Sequence, residues 1–264
     1  MVNIDLSGKN AIITGGSSGI GKTITLALAD SGANVWIGDL NEQGADIVCK
    51  EVSANGGNAG FTKTNVSKPE EVAAMFDGAK KAFGKVDIVV NSAGLFLPGK
   101  LLDVSPEQIK AHLDVNVFGV IYSTRCALEI MIEQGLGGKI LNIASAGGRM
   151  GEVESPYYSL GKSCIINFTQ SAAFTGAPHK INVNALCPGM VLTPMWEVIL
   201  DDAAGGDDTL DREELFQGMV KRRSPLGRGI LTDEVAWAAC FLCSNYADAI
   251  VGQALNVCGG WRMN

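Results

Sequence analysis

Histidine and basic residues are scarce in this sequence of 264 residues, and their scarcity argues against whole classes of function. Lysine and arginine number 21 against 28 acidic residues, which gives a net charge of -7 at pH 7. A nucleic-acid-binding surface needs a basic patch, so no nucleic-acid partner is predicted. The two histidines, His112 and His179, have no carboxylate at metal-ligand spacing, and we interpret both as structural. No metal site is predicted.

Long hydrophobic runs and a cysteine framework are also missing. No apolar run reaches the roughly 18 residues of a membrane span, and Asp5 and Lys9 interrupt the N-terminus, so neither a transmembrane helix nor a signal peptide is predicted. Seven cysteines, an odd number in a chain of this size, are typical of reduced thiols. Cys240 and Cys243 lie in an apolar helical pattern, and we interpret them as buried packing residues. These features predict a cytoplasmic protein without a membrane partner.

The sequence is rich in glycine, with 33 residues, and alternates between strand and helix patterns along its whole length. The predicted strands are residues 9–14, 34–38, 58–64, 87–90, 140–144, 181–186 and 254–257. Predicted helices cover 22–30, 67–83, 105–134, the stretch from Tyr158 towards Pro178, and 233–244. Capping boxes are expected at Ser67 and Ser105, and Cys187-Pro188-Gly189 is expected to break the sixth strand. This alternation predicts an α/β fold in one domain, residues 1–264, with a doubly wound parallel sheet covered by helices on both faces.

A glycine-rich turn follows the first predicted strand. Gly15-Gly-Ser-Ser-Gly19-Ile-Gly21 would let the backbone and a helix N-terminus approach a pyrophosphate. Asp39 ends the second strand, 18 residues past Gly21, where a carboxylate accepts ribose hydroxyls and repels a 2′-phosphate. Because no Lys or Arg stands within two positions of Asp39, the sequence favours NAD over NADP.

A tyrosine and a lysine, Tyr158 and Lys162, are four residues apart and would share one face of a helix. An ammonium beside a phenol favours the phenolate and would lower the tyrosine pKa, which suits proton transfer near neutral pH. Ser145 ends the fifth strand, thirteen residues before Tyr158. In open α/β sheets the carboxyl ends of the strands are where ligands bind.

Together these motifs resemble, in order and spacing, the short-chain dehydrogenase/reductase family. The motifs that match over nearly the whole chain are Thr14-Gly-Gly-Ser-Ser-Gly-Ile-Gly21, Asn91-Ser-Ala-Gly94, Asn116, Ser145, Tyr158-x-x-x-Lys162 and Pro188-Gly189-x-Val191-x-Thr193. The resemblance implies a Rossmann-like single domain, a nicotinamide cofactor and reversible oxidation of a secondary alcohol. It also implies a homodimer or homotetramer assembled through the long helices.

The resemblance assigns roles to individual residues. Tyr158 would be the general acid/base, Lys162 would hold the nicotinamide ribose, Ser145 would bind the substrate oxygen, and Asn116 would bind a water in the proton relay. The residues expected at the cofactor are Gly15, Ser17, Ser18, Gly19, Ile20, Gly21, Asp39, Leu40, Asn65, Val66, Asn91, Ala93, Gly94, Tyr158, Lys162, Pro188, Gly189, Val191 and Thr193. The residues expected at the substrate are Ser145, Gly147, Tyr158 and Trp196. Asn65 stands where the family usually has aspartate, and its amide oxygen is expected to accept from the adenine amino group.

The variable stretch at about 190–228 is where the family places a substrate lid. It is acidic and then basic, and Gly205-Gly206 would act as its hinge. Either the whole stretch is a solvated lid, or one of Lys221, Arg222, Arg223 and Arg228 reaches a substrate phosphate or carboxylate. The stretch resembles acetoin/butanediol and sorbitol or sorbitol-phosphate dehydrogenases, which implies a small polyol, sugar alcohol, acyloin or diol, with or without a phosphate.

Two alternatives remain open. The same chemistry would serve a hydroxysteroid dehydrogenase or a 3-oxoacyl thioester reductase, although the charged lid argues against a steroid pocket. A regulator that binds the nucleotide without catalysis is less favoured, since Asn116, Ser145, Tyr158 and Lys162 are all present.

Overall fold

The protein is a seven-stranded parallel sheet flanked by helices, described by a computed structural model for residues 4–205, 207 and 209–264. The strands are β1 (Asn10–Thr14), β2 (Asn34–Asp39), β3 (Ala59–Lys63), β4 (Ile88–Asn91), β5 (Gly138–Ile143), β6 (Ile181–Pro188) and β7 (Ala254–Val257). Their order in the sheet is β3-β2-β1-β4-β5-β6-β7. The predicted doubly wound parallel sheet is confirmed.

The strands are short apolar runs because both faces of the sheet are covered. Successive side chains of β1 point to opposite faces, so Ile13 packs in one core cluster and Ile12 in the other. Each such isoleucine, removed from water, contributes about 1.5–3 kcal/mol.

Helices α1 (Gly19–Asp30), α2 (Glu42–Ala54) and α9 (Thr232–Cys243) cover one face of the sheet. The opposite face carries α3 (Pro69–Phe83), α5 (Gly119–Gln134) and α6 (Pro156–Gly176). Before α5 the chain forms α4 (Pro106–Leu113) and a π-helical segment, Asp114–Phe118.

The run Pro106–Gln134, formed by α4, the π segment and α5, has a mean hydropathy of 1.3 over its most apolar window. By length and composition alone it would pass for a membrane span, but 44% of that window is buried inside the protein. Within the fold, α5 packs against α3 and α6 on one face of the sheet.

Three local predictions were wrong or incomplete. Ser67 does not cap α3, because its hydroxyl donates to Asn65 Oδ1 at 2.8 Å. The helix starts at Pro69, and its N-cap residue, Lys68, makes no side-chain capping hydrogen bond. Strand β6 continues through Cys187 and Pro188, since it lies between β5 and β7 and its ladder with β7 runs to Pro188. The π segment was not predicted at all, whereas the capping box at Ser105 is confirmed.

Candidate functional site

The glycine-rich turn lies at the point where the sheet changes its winding direction. Strand β1 pairs with β2 on one side and β4 on the other, so a crevice opens between the loops that leave β1 and β4. Gly15 has a φ of +68°, and a Cβ there would come within 2.7 Å of the Ala93 backbone. A Cβ on Gly21 would lie 2.0 Å from the Gly15 carbonyl oxygen. Only glycine allows the two loops and the start of α1 to approach this closely.

The N-terminus of α1 fits a nucleotide phosphate. Ser18, its N-cap residue, is extended and its side chain makes no capping hydrogen bond. The first N–H groups of a helix carry partial positive charge, and Gly19, Ile20 and Gly21 place them at the wall of a cavity of about 520 Å³. Backbone donors thus face the cavity at the position where an anion is best stabilised.

Asp39 stands at the end of β2, where the cavity begins. Its Oδ2 accepts the Ser17 N–H at 3.0 Å and its Oδ1 accepts the Asn41 N–H at 2.9 Å. The carboxylate is thereby fixed beside the glycine turn. The sheet also places Lys63 of β3 next to Asp39, a neighbour that local sequence reasoning missed. The Lys63 ammonium is paired with Glu42 at 3.0 Å.

Ser145, Tyr158 and Lys162 line the other end of the same cavity. Ser145 Oγ accepts the Gly147 N–H at 3.1 Å, so its hydroxyl hydrogen can be donated to the Tyr158 oxygen or to a molecule in the cavity. Lys162 is buried, with its Nζ donating to the Ile143 carbonyl at 2.9 Å and lying 5.8 Å from the centre of the Tyr158 ring. A phenol, a hydroxyl and an amine are therefore presented to one space.

The electrostatics differ from the sequence prediction. Burial raises the pKa of Tyr158 above its usual value, and a hydrogen bond with Ser145 only partly opposes this. Burial also lowers the pKa of Lys162 to about 8. The expected lowering of the Tyr158 pKa by Lys162 is not produced by the chain alone, because the amine is itself desolvated and directed at a backbone carbonyl.

Asn116 lies within the π segment, behind the cavity wall. Its side chain clamps the Leu95 backbone: Oδ1 accepts the Leu95 N–H at 3.2 Å, and Nδ2 donates to the Leu95 carbonyl at 2.9 Å. The π geometry has Gly119 N–H donating to the Asp114 carbonyl five residues back. Such single-turn bulges recur at functional sites.

His112, which we interpreted as structural, is part of this arrangement. It is 1% exposed, its Nδ1 lies 2.9 Å from Asn116 Nδ2, and its ring centre is 6.1 Å from that of Tyr158. Burial, aided by the charge of Lys162, lowers the pKa of His112 to about 4, so the ring is neutral at pH 7. Its position four residues before Asn116 was the only signal in the sequence.

Most residues predicted at the cofactor and substrate line this one cavity. They are Gly15, Ser18, Gly19, Ile20, Gly21, Asp39, Leu40, Asn65, Val66, Ala93, Gly94, Ser145, Tyr158, Lys162, Pro188, Gly189, Val191, Thr193 and Trp196.

Four predicted residues do not line the cavity and instead support its wall. Ser17 holds Asp39 and Gly147 holds Ser145 through their N–H groups. The Asn91 amide is buried and donates to Thr124 and Asn142, and Asn116 is bonded to Leu95.

The side-chain oxygen of Asn65, which we expected to contact adenine, is hydrogen-bonded within the protein instead. Asn65 lines the cavity, but its Oδ1 accepts both the N–H and the hydroxyl of Ser67, at 3.1 and 2.8 Å. Both lone pairs of that oxygen are then occupied, so it is not available to the adenine amino group as we expected.

The lid consists of two helices, α7 (Pro194–Ala204) and α8 (Arg212–Arg223). Its inner face is apolar: Trp196 packs edge-on against Phe216 with ring centres 5.0 Å apart, beside buried Leu200. Gly205 ends α7 in the left-handed conformation, and Gly206, the second residue of the expected hinge, lies outside the described residues.

The four cations that follow the acidic part of the lid do not line the cavity. Arg228 pairs with Glu234 through two contacts of 2.6 and 2.8 Å. Arg223 lies over the Trp261 ring and 3.6 Å from Glu152. Within the described part of the chain, neither these two nor Lys221 or Arg222 contributes to the cavity wall.

The sequence model of the family described as enoyl-(acyl carrier protein) reductase matches residues 15–262, which is nearly the whole chain. The chain belongs to the short-chain dehydrogenase/reductase family. Members of this family are oxidoreductases that bind a nicotinamide cofactor, and the glycine turn, the α1 N-terminus and Asp39 fit such a group.

Several relatives of this short-chain dehydrogenase/reductase match it from end to end. It is 36% identical to the 2,5-dichloro-2,5-cyclohexadiene-1,4-diol dehydrogenase of Sphingobium indicum, over 97% of this chain and 98% of that one. It is 35% identical to the (S)-acetoin-forming diacetyl reductase of Staphylococcus epidermidis, with 96% and 98% covered. It is 34% identical to the galactitol 2-dehydrogenase of Agrobacterium fabrum, with 97% and 98% covered.

One similar solved structure contains NADPH. The chain is similar to the actinorhodin polyketide ketoreductase crystallised with NADPH, at a TM-score of 0.89 and 33% identity, over 96% of this chain and 97% of that one. Membership of the family alone therefore does not determine which of the two nucleotides this chain binds.

Proposed function

We propose that this protein is an NAD(H)-dependent oxidoreductase that interconverts a secondary alcohol and a ketone on a small uncharged diol, acyloin or polyol. The observation that carries the proposal is that Ser145, Tyr158 and Lys162 share one cavity with the glycine turn and Asp39. This arrangement supplies a proton donor, an oxygen-binding hydroxyl and a nucleotide site in a single space.

Tyr158, Ser145 and Lys162 have different roles in the proposed reaction. In the direction of reduction Tyr158 gives its hydroxyl proton to the carbonyl oxygen, and in oxidation it takes the alcohol proton. Ser145, whose Oγ is already occupied by the Gly147 N–H, donates its hydrogen to the same oxygen and stabilises the charge that develops there. Lys162 supplies positive charge beneath the phenol and a donor for a ribose hydroxyl. When bound, the nicotinamide supplies the hydride transfer.

The substrate class follows from the wall of the cavity beyond Tyr158. Leu95, Phe96, Met195, Trp196 and Val198 line this end. A phosphate or carboxylate needs a cation or several donors, and the described lid cations do not line the cavity. An uncharged molecule with an apolar face and adjacent oxygens, such as an acyloin or a cyclic diol, fits better than a sugar phosphate. The names of the relatives from Sphingobium and Staphylococcus support this choice.

A hydroxysteroid or an acyl thioester is the second candidate, and one observation favours it more than the sequence did. Most of the described acidic and basic residues of the lid are exposed, while Trp196, Leu200 and Phe216 pack together as an apolar cluster within it. The charge of the lid therefore does not argue against an apolar substrate.

We also propose that the protein acts in the cytoplasm as a homodimer or homotetramer. All seven cysteines are free thiols, which suits a reducing compartment. Partly exposed apolar residues along α4, the π segment and α5, among them Phe118 of the π segment, suit contact with another subunit.

A substrate panel tests the proposal. Butanediols, acetoin, cyclic diols, polyols, sugar phosphates and hydroxysteroids are each offered with NAD, and NADH is followed by absorbance. Turnover of diols or acyloins, with sugar phosphates unreactive, is expected. A preference for phosphorylated polyols would overturn the substrate class, and silence across all alcohols and the matching ketones would overturn the reaction.

A further inference from the structure

His112 bridges two elements that meet behind the cavity. It ends the regular part of α4, just before the π segment that carries Asn116, and its ring faces the first turns of α6. A Cβ built on Gly161 of α6 would lie 3.4 Å from His112 Nε2. The backbone carbonyl of Tyr157, also on α6, favours a ring N–H and in this way partly opposes the effect of burial on the pKa of His112. The imidazole thus fills the contact between the Asn116 segment and the helix of Tyr158 and Lys162.

The imidazole also contacts the side-chain amide of Asn116. One hydrogen of Asn116 Nδ2 goes to the Leu95 carbonyl at 2.9 Å. The second faces His112, whose Nδ1 lies nearest at 2.9 Å, with Nε2 and the His112 carbonyl each at 3.3 Å. With Oδ1 accepting the Leu95 N–H, every polar group of this buried amide is satisfied in one orientation only. Flipping the amide would direct its oxygen at both the Leu95 carbonyl and the imidazole acceptor.

A neutral imidazole can both accept from the Asn116 amide and donate to the Tyr157 carbonyl. One ring nitrogen then carries a lone pair towards Asn116, and the other carries the hydrogen. A protonated ring would place a second donor against the Asn116 amide and a second positive charge near Lys162. The ring stays neutral because the residue is only 1% exposed and the Lys162 ammonium lies near it.

We infer that His112 is a positioning residue: it fixes the Asn116 amide, and through it the Leu95–Phe96 wall, against the helix that carries Tyr158. The inference rests on the proposed function only for its effect on turnover. Phe96 is the link to the reacting end, since its ring centre lies 5.1 Å from that of Tyr158. Leu95 and Phe96 both line the cavity.

Two substitutions separate the hydrogen bond from the volume of the ring. His112→Phe fills the space without an acceptor, whereas His112→Asn keeps an acceptor near the position of Nδ1. The first readout is amide hydrogen exchange at Leu95 and Phe96, which needs no substrate. The phenylalanine variant is expected to exchange there about tenfold faster, with the core strands unchanged. The second readout is turnover of the best substrate: kcat should fall about 10- to 100-fold at nearly constant KM for NADH.

The asparagine variant is expected to recover most of both effects. His179→Phe, at an exposed turn, is the matched control and should leave exchange and kcat unchanged. Unchanged exchange at Leu95 in His112→Phe, or equal kcat losses in the phenylalanine and asparagine variants, would overturn the inference. If the phenylalanine variant does not fold, His112→Leu replaces it: leucine has nearly the shape of asparagine but no acceptor, so this variant should be less active than His112→Asn, and the reverse order would refute the role. A wild type inactive on every substrate would overturn the proposed function alone, since the exchange readout still judges His112.

Discussion

Replacing Asp39 by alanine is expected to weaken NADH binding much more than NADPH binding. The carboxylate is held by the N–H groups of Ser17 and Asn41 at 3.0 and 2.9 Å, so its remaining lone pairs face the cavity in a fixed direction. A hydrogen bond to a charged acceptor contributes about 1.5–3 kcal/mol. Loss of the bond to a ribose hydroxyl should therefore raise the dissociation constant for NADH roughly 10- to 100-fold.

The effect on NADPH has the opposite electrostatic sign. A carboxylate beside the 2′-phosphate of NADPH repels it, so removing Asp39 removes this repulsion. That gain in NADPH affinity offsets the affinity lost because the glycine turn is held less firmly. Asp39→Asn separates these two contributions, because it keeps the shape and one acceptor oxygen while it removes the charge. NADPH should bind Asp39→Asn more tightly than it binds wild type.

Fluorescence titration with NADH and NADPH measures both constants on the same protein. Lys63→Ala is the control: Lys63 lies beside Asp39 in the sheet, but its ammonium pairs with Glu42. NADH affinity of this variant should stay within about twofold of wild type, since exposed pairs contribute little. Equal losses of both nucleotides in Asp39→Ala, or a wild type that prefers NADPH, would refute the reasoning.

Two further predictions concern stability. The folded pKa of His112, about 4, is below its unfolded value of 6.5, so the unfolded chain binds more protons between these values and stability falls as the pH drops through them. Denaturant unfolding should show wild type losing about 2 kcal/mol more than His112→Asn between pH 7 and pH 5, and parallel losses would contradict the buried neutral ring. Gly21→Ala places a Cβ 2.0 Å from the Gly15 oxygen. It should lower the free energy of unfolding by about 1–3 kcal/mol in the same assay, and it should also weaken NADH binding. Gly218→Ala, at a partly exposed position of α8 where the new Cβ would make only an ordinary contact of 3.8 Å with Arg222 Nη1, is the matched control and should be neutral or stabilising.

The sheet and its helices were predictable because the signal is local. Buried parallel strands are short apolar runs, and most turns between strands and helices carry glycine or a capping residue, so the strands were located to within a few residues. Ser105 illustrates this, since its capping box is written in four consecutive residues. Where the prediction failed, a distant contact decides: β6 extends through Pro188 because β7 pairs with it there.

The site was predictable to the extent that its residues sit at strand ends. The carboxyl ends of parallel strands meet at one edge, which brings Gly15, Asp39 and Ser145 into one cavity although they are far apart in sequence. The π segment was not predicted, and the side chain of Asn116 within it bonds to Leu95, 21 residues earlier in the chain. Register across the sheet placed Lys63 beside Asp39, and Arg228 of the lid pairs with Glu234. None of these is visible in a local pattern.

Turnover by Tyr158→Phe, measured beside NADH binding, tests the central claim most directly. The substitution removes one oxygen and leaves the ring that packs against Phe96. Loss of a general acid/base lowers kcat by about 10²- to 10⁴-fold, and NADH affinity should remain within about threefold of wild type. Turnover that survives the loss of the hydroxyl would contradict the assignment of Tyr158 as the group that moves the proton.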